Sequence, residues 1–226
     1  MNRFVLDSND HNAPNGPANQ TMNTAIELLI RILCDTRPEG PADGAYLYCT
    51  TVDNQASIFK AARVLVSQKI VARIFILEAQ AMSGYPGVDQ CSRRLRELGL
   101  PADKIDYVPY GDAESINTLI ESQALVRFAK NREMRSLILV SPPFHQLRAF
   151  MTAATVALKG HPELAIFSHP GAAMSWMESV AHSQGTLQAQ RRQLIQEELI
   201  RIHTYQAKGD LARFEAVLDY LNRRDT

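Results

Sequence analysis

The chain has 226 residues, of which 46% are hydrophobic and 21% charged, so it is long enough for one large domain with a substantial core. Its lysines and arginines, 24 in all, balance its 24 aspartates and glutamates. That balance argues against nucleic-acid binding, because no positive excess is left to neutralise phosphates. No apolar run approaches the roughly twenty residues of a membrane span, and the polar first 20 residues do not resemble a signal peptide. We therefore expect a cytoplasmic protein that does not bind membranes.

The pattern of apolar residues predicts alternating strands and helices. Residues 1–20, rich in turn formers, predict an irregular N-terminal arm. A helix is predicted from Thr21, where Thr24 and Glu27 have the spacing of a capping box. Predicted strands follow at 45–49, 71–77, 105–109, 137–140 and 165–168, with helices between them. This order predicts an α/β fold, a Rossmann-like doubly wound, mainly parallel sheet of about five strands with additional N- and C-terminal helices.

The C-terminal part of the chain has a different pattern. After residue 171 only helices are predicted, one carrying Leu187, Leu194 and Leu199 and another following a break at Gly209. We therefore divide the chain into the arm (1–20), an α/β domain (21–174) and a helical extension packed on it (175–226). The apolar faces of the terminal helices also allow a homo-oligomer to form through them.

Ligands of open parallel sheets bind outside the carboxyl ends of the strands. Five loops are expected at that edge: 50–55, 78–87, 110–118, 141–148 and 168–171. In the third loop, four polar residues at helical spacing predict one face that looks into the crevice: Glu114, Asn117, Thr118 and Glu121. The alternative is that Asp112 or Ser115 caps this helix and that the remaining polar residues face solvent.

The fourth loop combines a histidine and an arginine. Ser141 is predicted to cap a helix that begins at Pro142, which places His145 and Arg148 on one face. Arg148 would hold a carboxylate or phosphate, and His145 would move a proton near neutral pH. The alternative is that His145 is a hydrogen-bonded structural residue and that Arg148 pairs with a glutamate of the third loop.

Other kinds of site have weak support. The first loop offers Thr50, Thr51 and Asp53 but no glycine-rich phosphate cradle, and the chain has no G-x-S-x-G motif. A metal site of His145, His169 and Asp53 lacks the close spacing of metal ligands, so we predict no metal. Three cysteines far apart in the chain, at positions 34, 49 and 91, predict reduced thiols.

The third and fourth loops resemble the core pattern of the YdcF/SanA/ElyC family, in the motifs E-S-x-N-T-x-x-E (114–121) and S-x-x-F-H-x-x-R (141–148). The likeness also includes Ser83-Gly84 and the tail 198–210, and it spans residues 20–222. It implies a Rossmann-like fold with a pocket for nucleotide-type ligands, including S-adenosylmethionine, but no settled reaction. Membrane-anchored relatives are linked to envelope polysaccharide and lipid-carrier metabolism. We expect no such anchor in this chain, which is similar to the soluble, YdcF-like branch.

The chain also departs from that family pattern. Cys49-Thr50-Thr51-Val52 stands where a glycine-rich turn is usual, Ile58 where an arginine usually begins the next helix, and Tyr85 where a second glycine is common. The first two differences remove anion-binding groups, and the third would narrow the pocket.

Two classes of function remain open. One is an enzyme, a transferase or hydrolase, with His145, Arg148 and Glu114 in catalytic roles and Asn117 helping to orient the substrate. The other is a non-catalytic ligand-binding or protein-interaction protein with a degenerate site. In both cases the expected ligand is a small molecule bound by Thr50, Thr51, Ser83, Gly84, Ser115, Asn117, Thr118, Glu121 and Ser141.

Overall fold

The computed structural model describes residues 17–111, 114–182 and 184–226. Most of the predicted arm and the candidate cap Asp112 lie outside these ranges. The first helix, α1, is Pro17–Leu33 and begins before the predicted Thr21. The predicted capping box is wrong, because Thr24 lies inside the helix and its hydroxyl donates to the Gln20 carbonyl at 2.9 Å.

A parallel five-stranded sheet forms the centre of the molecule, and the predicted α/β doubly wound fold is confirmed. Its strands are β1 (Gly44–Leu47), β2 (Ile74–Glu78), β3 (Ile105–Pro109), β4 (Ser136–Val140) and β5 (Ala165–Ser168). They lie in the order β3-β2-β1-β4-β5. β1 is thus central, and its Ala45 is in register with Ile74 on one side and Ile138 on the other.

Helices cover both faces of this sheet. α2 (Val52–Ser67) packs on β1 and β4, and α3 (Val88–Glu97) packs on β2. α4 (Thr118–Asn131) packs on β3 and on α5 (Gln146–Gly160), which itself contacts β4 and β5. A short 3-10 helix, Ala102–Lys104, precedes β3. Burial on both faces explains why the strands are nearly continuous apolar runs.

The prediction that the C-terminal part is only helical is wrong. β6 (Ser179–His182) and β7 (Leu187–Gln190) form an antiparallel hairpin before α6 (Arg191–Lys208) and α7 (Phe214–Arg224). Leu187 fits helical spacing, but it pairs with His182 and packs beside Phe144, Val180 and Leu194. This tertiary packing outweighs the local pattern.

The C-terminal helices belong to the same core as the sheet. α6 contacts α5 and the hairpin, and α7 contacts α1 and α5. The predicted break at Gly209 is confirmed, with Gly209 at φ 79° as expected of a residue that ends a helix. Within the described residues, no helix combines the length and apolar character needed to cross a membrane.

Candidate functional site

A cavity of about 200 Å³ opens at the carboxyl ends of the strands. It lies where β1 and β4 are neighbours, and from these two strands the chain turns towards opposite edges of the sheet. Such a switch point is the usual ligand site of open α/β sheets. Residues from the first four predicted loops line the cavity, together with residues from the β6–β7 hairpin and α6.

The cavity brings together eight of the predicted site residues: Thr50, Thr51, Ser83, Asn117, Thr118, Glu121, His145 and Arg148. The other four are not among the described residues that line it: Gly84, Glu114, Ser115 and Ser141. Gly84 and Ser141 have structural roles, whereas Glu114 and Ser115 are exposed.

The helix that follows the third loop, α4, is capped by Asn117 and not by Ser115. Oδ1 of Asn117 accepts hydrogen bonds from the backbone amides of Leu119 and Ile120, both at 3.0 Å, as a helix cap does. Because α4 begins only at Thr118, the prediction that four polar residues share one helix face is wrong for Glu114, which is exposed before the helix.

The helix that follows the fourth loop, α5, also begins later than predicted. Pro143 disfavours helical geometry at the preceding residue, Pro142, and α5 begins only at Gln146. Ser141 is therefore not a cap. It is fully buried, and its hydroxyl and backbone amide both donate to Oε1 of Gln146, at 2.7 and 2.8 Å. Ser141 thus stabilises the turn and is not available to a ligand.

Gly84 supports the hairpin. It has φ 77°, and an added Cβ would lie 2.9 Å from the backbone nitrogen of Gly185, which belongs to the β6–β7 turn. Only glycine combines this backbone conformation with so close an approach. The adjacent Ser83 accepts a hydrogen bond from the Ile116 amide at 3.3 Å, while Tyr85 lines the cavity and donates to the Leu77 carbonyl at 2.8 Å.

Behind the cavity wall lies a buried network centred on Glu198 of α6. Arg148 donates to both carboxylate oxygens, from Nε to Oε2 at 2.6 Å and from Nη2 to Oε1 at 3.1 Å. Nδ1 of His145 contacts Oε2 at 2.7 Å, and Nε2 of His182 contacts Oε1 at 2.6 Å. Arg148 also donates to Thr118 Oγ1 at 3.0 Å. It therefore pairs with neither glutamate of the third loop, and its guanidinium is already occupied.

The electrostatics of this network fix the state of His145. Burial alone would raise the pKa of Glu198, but Arg148, His145 and His182 outweigh it and hold that pKa well below its usual value. Burial lowers the pKa of His145 to about 4, although Glu198 opposes the shift. A neutral His145 that donates from Nδ1 to Glu198 leaves Nε2 unprotonated, and Nε2 has no protein partner in the described part of the chain. The ring lines the cavity as a proton acceptor.

A second titratable group in the cavity, Glu121, has a pKa that is shifted upwards, whereas that of His145 is shifted downwards. Glu121 is half-buried on α4, and burial raises its pKa to about 8, although a hydrogen bond from the Tyr46 hydroxyl at 2.7 Å opposes the rise. At neutral pH the carboxyl group is mostly protonated and can donate. The rings of Tyr46 and Tyr48 meet edge to face, and Tyr48 also meets His145 edge to face at 6.2 Å, so these two tyrosines connect the two groups.

Sequence reasoning missed the half of the site that comes from the C-terminal region. His182 and Gln184 from the hairpin, and Arg201 and Tyr205 from α6, line the cavity, and Glu198 lies behind it. Two features of the sequence could have indicated Glu198. It begins the tail 198–210 that takes part in the family resemblance, and it occupies the buried stripe of α6 between Leu194 and Ile202, where an unpaired carboxylate would be costly. No feature indicated His182, because its strand was not predicted.

No metal site is assembled among the described residues. No group of three or more His, Cys, Asp or Glu side chains there is placed to hold a metal ion. His169 does not line the cavity with His145. All three cysteines are free, Cys34 exposed and the other two buried.

Comparison with known proteins returns no match, whether with protein-family models, curated proteins or solved structures. The resemblance to the YdcF/SanA/ElyC family therefore stays a prediction from sequence motifs.

Proposed function

We propose that this protein is an enzyme, a hydrolase or transferase, that acts on a small polar or nucleotide-type ligand at the strand ends. One observation carries the proposal: His145 and Glu121 line a single cavity, in which burial lowers the pKa of the imidazole to about 4 and raises that of the carboxyl to about 8. Pairs of titratable groups whose environments push their pKa values in opposite directions are typical of acid–base catalysis.

In the proposed step the protein accepts one proton from the nucleophile and donates one proton to the leaving group. Nε2 of His145 accepts the proton of a water or hydroxyl whose oxygen forms a bond to the electrophilic atom of the substrate. The bond to the leaving group breaks, and Glu121 donates its proton to that group. The imidazolium formed on His145 is stabilised by the Glu198 carboxylate through the Nδ1 hydrogen bond. Solvent then returns the proton from His145 to Glu121.

Arg148 and His182 act in this proposal as positioning residues. Both donate to Glu198, so they fix the carboxylate that in turn orients His145. Arg148 also supplies the positive charge that keeps Glu198 ionised. The catalytic role first predicted for Arg148 thereby becomes an indirect one, and the exposed Glu114 has no part in the step.

The ligand class has two supports. The resemblance to the YdcF/SanA/ElyC family favours a nucleotide-type ligand, with S-adenosylmethionine among the candidates. In addition, a second recess of about 250 Å³ adjoins the cavity and shares Thr118, Arg148 and Tyr205 with it, which leaves room for a ligand of two parts. We further propose that the protein works in the cytoplasm.

The test begins with a thermal-shift screen of adenosine compounds, S-adenosylmethionine, nucleotides and sugar phosphates, because a ligand that binds only the folded state raises apparent stability. Turnover is then measured on each ligand found. We expect kcat/KM to follow a bell-shaped pH profile with limbs near pH 4 and pH 8, the pKa values of His145 and Glu121.

Glu121→Gln keeps the shape and the acceptor for Tyr46 but has no acidic proton. We expect it to lower turnover about 100-fold or more and to remove the alkaline limb. The matched control is Glu114→Gln, an exposed position outside the cavity lining, which should keep wild-type turnover. Wild-type activity in Glu121→Gln, or loss of activity in the control alone, would refute the assignment.

The alternative is a protein-interaction role that includes self-association. Exposed apolar side chains on α1 favour it, with Met22 and Ile30 each 56% exposed and Ile26 47% exposed. Sedimentation equilibrium of the wild type and Ile30→Glu tests this role, since only an interface through α1 would be lost in the variant. A ligand that stabilises the fold without turnover at any pH would instead support the non-catalytic ligand-binding alternative.

A further inference from the structure

Arg201 is a cationic residue of the cavity that has no partner among the residues the structure describes. Glu198, Arg201 and Tyr205 lie at i, i+3 and i+7 on α6, so they share one face of the helix. Arg201 lines the cavity and makes no hydrogen bond or ion pair with any described residue. Glu197 stands four residues before it, a spacing at which helix ion pairs form, yet the two do not pair.

The cavity carries an uncompensated positive charge near neutral pH. Glu198 balances Arg148, while His145 is neutral and Glu121 is mostly protonated. Among the lining residues that the structure describes, the guanidinium of Arg201 is therefore left without a counter-charge. In a partly desolvated cavity such a charge attracts an anion more strongly than it would at the open surface.

A second, independent observation concerns Thr50. Its hydroxyl oxygen is buried and has no hydrogen-bond partner, the only such side-chain atom in the described ranges. Thr50 lines the same cavity as Arg201, so a ligand oxygen is a suitable missing partner. α2 begins just beyond Thr51, whose side chain does not cap the helix but donates to the Ala181 carbonyl at 2.7 Å.

We infer that the cavity recognises a phosphate or phosphate-ester group, held by the Arg201 guanidinium and the Thr50 hydroxyl. The inference rests on the proposed function, because it names the substrate class of the same cavity. It moves anion recognition from Arg148, as the sequence predicted, to Arg201, since the guanidinium of Arg148 already donates to Glu198 and Thr118. A phosphate offers several oxygens, so it can accept from both side chains at once.

Binding of inorganic phosphate, adenosine 5′-monophosphate and adenosine is measured by calorimetry at pH 7 in low salt. We expect the two phosphates to bind the wild type and adenosine to bind more weakly than its monophosphate. Arg201→Gln should weaken monophosphate binding about tenfold or more. Arg192→Gln, an exposed arginine on the same helix, should bind as the wild type does. Equal affinity in Arg201→Gln and wild type, or no binding of either phosphate, would overturn the inference.

Thr50→Val provides a test that a folding defect cannot imitate. The substitution keeps the side-chain shape and removes a hydroxyl that has no partner among the described residues. We therefore expect unchanged or higher thermal stability together with weaker monophosphate binding by several-fold. Full affinity in this variant would contradict the role of the hydroxyl.

The inference and the proposed function fail in different experiments. Phosphate binding that is lost in Arg201→Gln, with no turnover of any compound, would support the inference and count against the enzyme. Turnover that survives Arg201→Gln with unchanged KM would support the enzyme and refute the inference.

Discussion

The buried carboxylate of Glu198 should be among the most costly side chains to neutralise. Four contacts of 2.6 to 3.1 Å join it to Arg148, His145 and His182, and its side chain is 2% exposed. Glu198→Gln preserves the side-chain volume but removes the negative charge. The guanidinium of Arg148 then remains buried without a counter-ion. Because glutamine has one acceptor oxygen in place of two, His145 and His182 can no longer both donate to this side chain.

Breaking a buried ion pair at one partner costs about 3–5 kcal/mol, out of a total stability of about 5–15 kcal/mol for a typical domain. The pair between Arg94 and Glu97 offers a matched comparison, because it also joins arginine to glutamate but is 61% and 52% exposed. For such an exposed pair, about 0.2–1 kcal/mol is expected. The two substitutions should therefore differ severalfold in their effect on the free energy of unfolding.

Urea unfolding followed by circular dichroism measures both effects, with a constant m-value as the check that the unfolding transition itself is unchanged. The double variant Arg148→Met, Glu198→Leu should recover only part of the loss. Apolar residues of similar volume often replace a buried ion pair at little cost, but the buried His145 and His182 then lack their carboxylate acceptor. If Glu198→Gln lost no more than Glu97→Gln, the network would have to be hydrated, and the argument that burial keeps His145 neutral would fail.

Three further outcomes follow from the cap, the hairpin contact and the cavity carboxyl. Asn117→Ala should lower the free energy of unfolding by about 1 kcal/mol, while Ser115→Ala leaves it unchanged. If urea unfolding gave equal losses of stability for both variants, Asn117 would not be the sole cap of α4 and Ser115 would have to contribute. Gly84→Ala should cost about 1–3 kcal/mol, whereas Gly40→Ala, with no atom within 4 Å of an added Cβ, should be neutral in thermal melts, and a neutral Gly84→Ala would disprove the close approach. Burial raises the pKa of Glu121 from 4.5 to about 8. The contribution of this side chain to the stability of the fold is therefore fully present below about pH 4.5 and is lost as the pH rises through 8. Glu121→Gln should therefore match the wild type at pH 4.5 and exceed its stability at pH 9, and parallel stability curves would contradict the raised pKa.

The parallel sheet could be predicted because its strands carry their own signal. The segments 105–109 and 165–168 coincide with β3 and β5. The inner strands β1 and β4 are buried along almost their whole length, and a strand that is buried on both faces must be apolar throughout. The loops at the carboxyl ends could then be located without knowledge of any tertiary contact. This reasoning placed His145, Glu121 and Thr50 in one crevice, where the structure also has them.

The remaining part of the site depends on contacts between distant segments. β7 is the sequence Leu-Gln-Ala-Gln, whose apolar–polar alternation covers only four residues and includes none of the β-branched or aromatic residues favoured in strands, and it is held by its pairing with β6. Glu198 lies 50 positions from Arg148 in the chain, so spacing within a helix could not reveal the ion pair. The error at Ser141 was local, because the second of two prolines prevented the helix from starting where a serine cap suggested.

The position of α6 along the chain has a consequence for biosynthesis. All five parallel strands precede it, so a nascent chain can pair them while Glu198 has yet to be translated. Until α6 docks, Arg148 and His145 face water without their carboxylate. The cavity is thus completed only after the five strands have been translated, when α6 docks on the sheet.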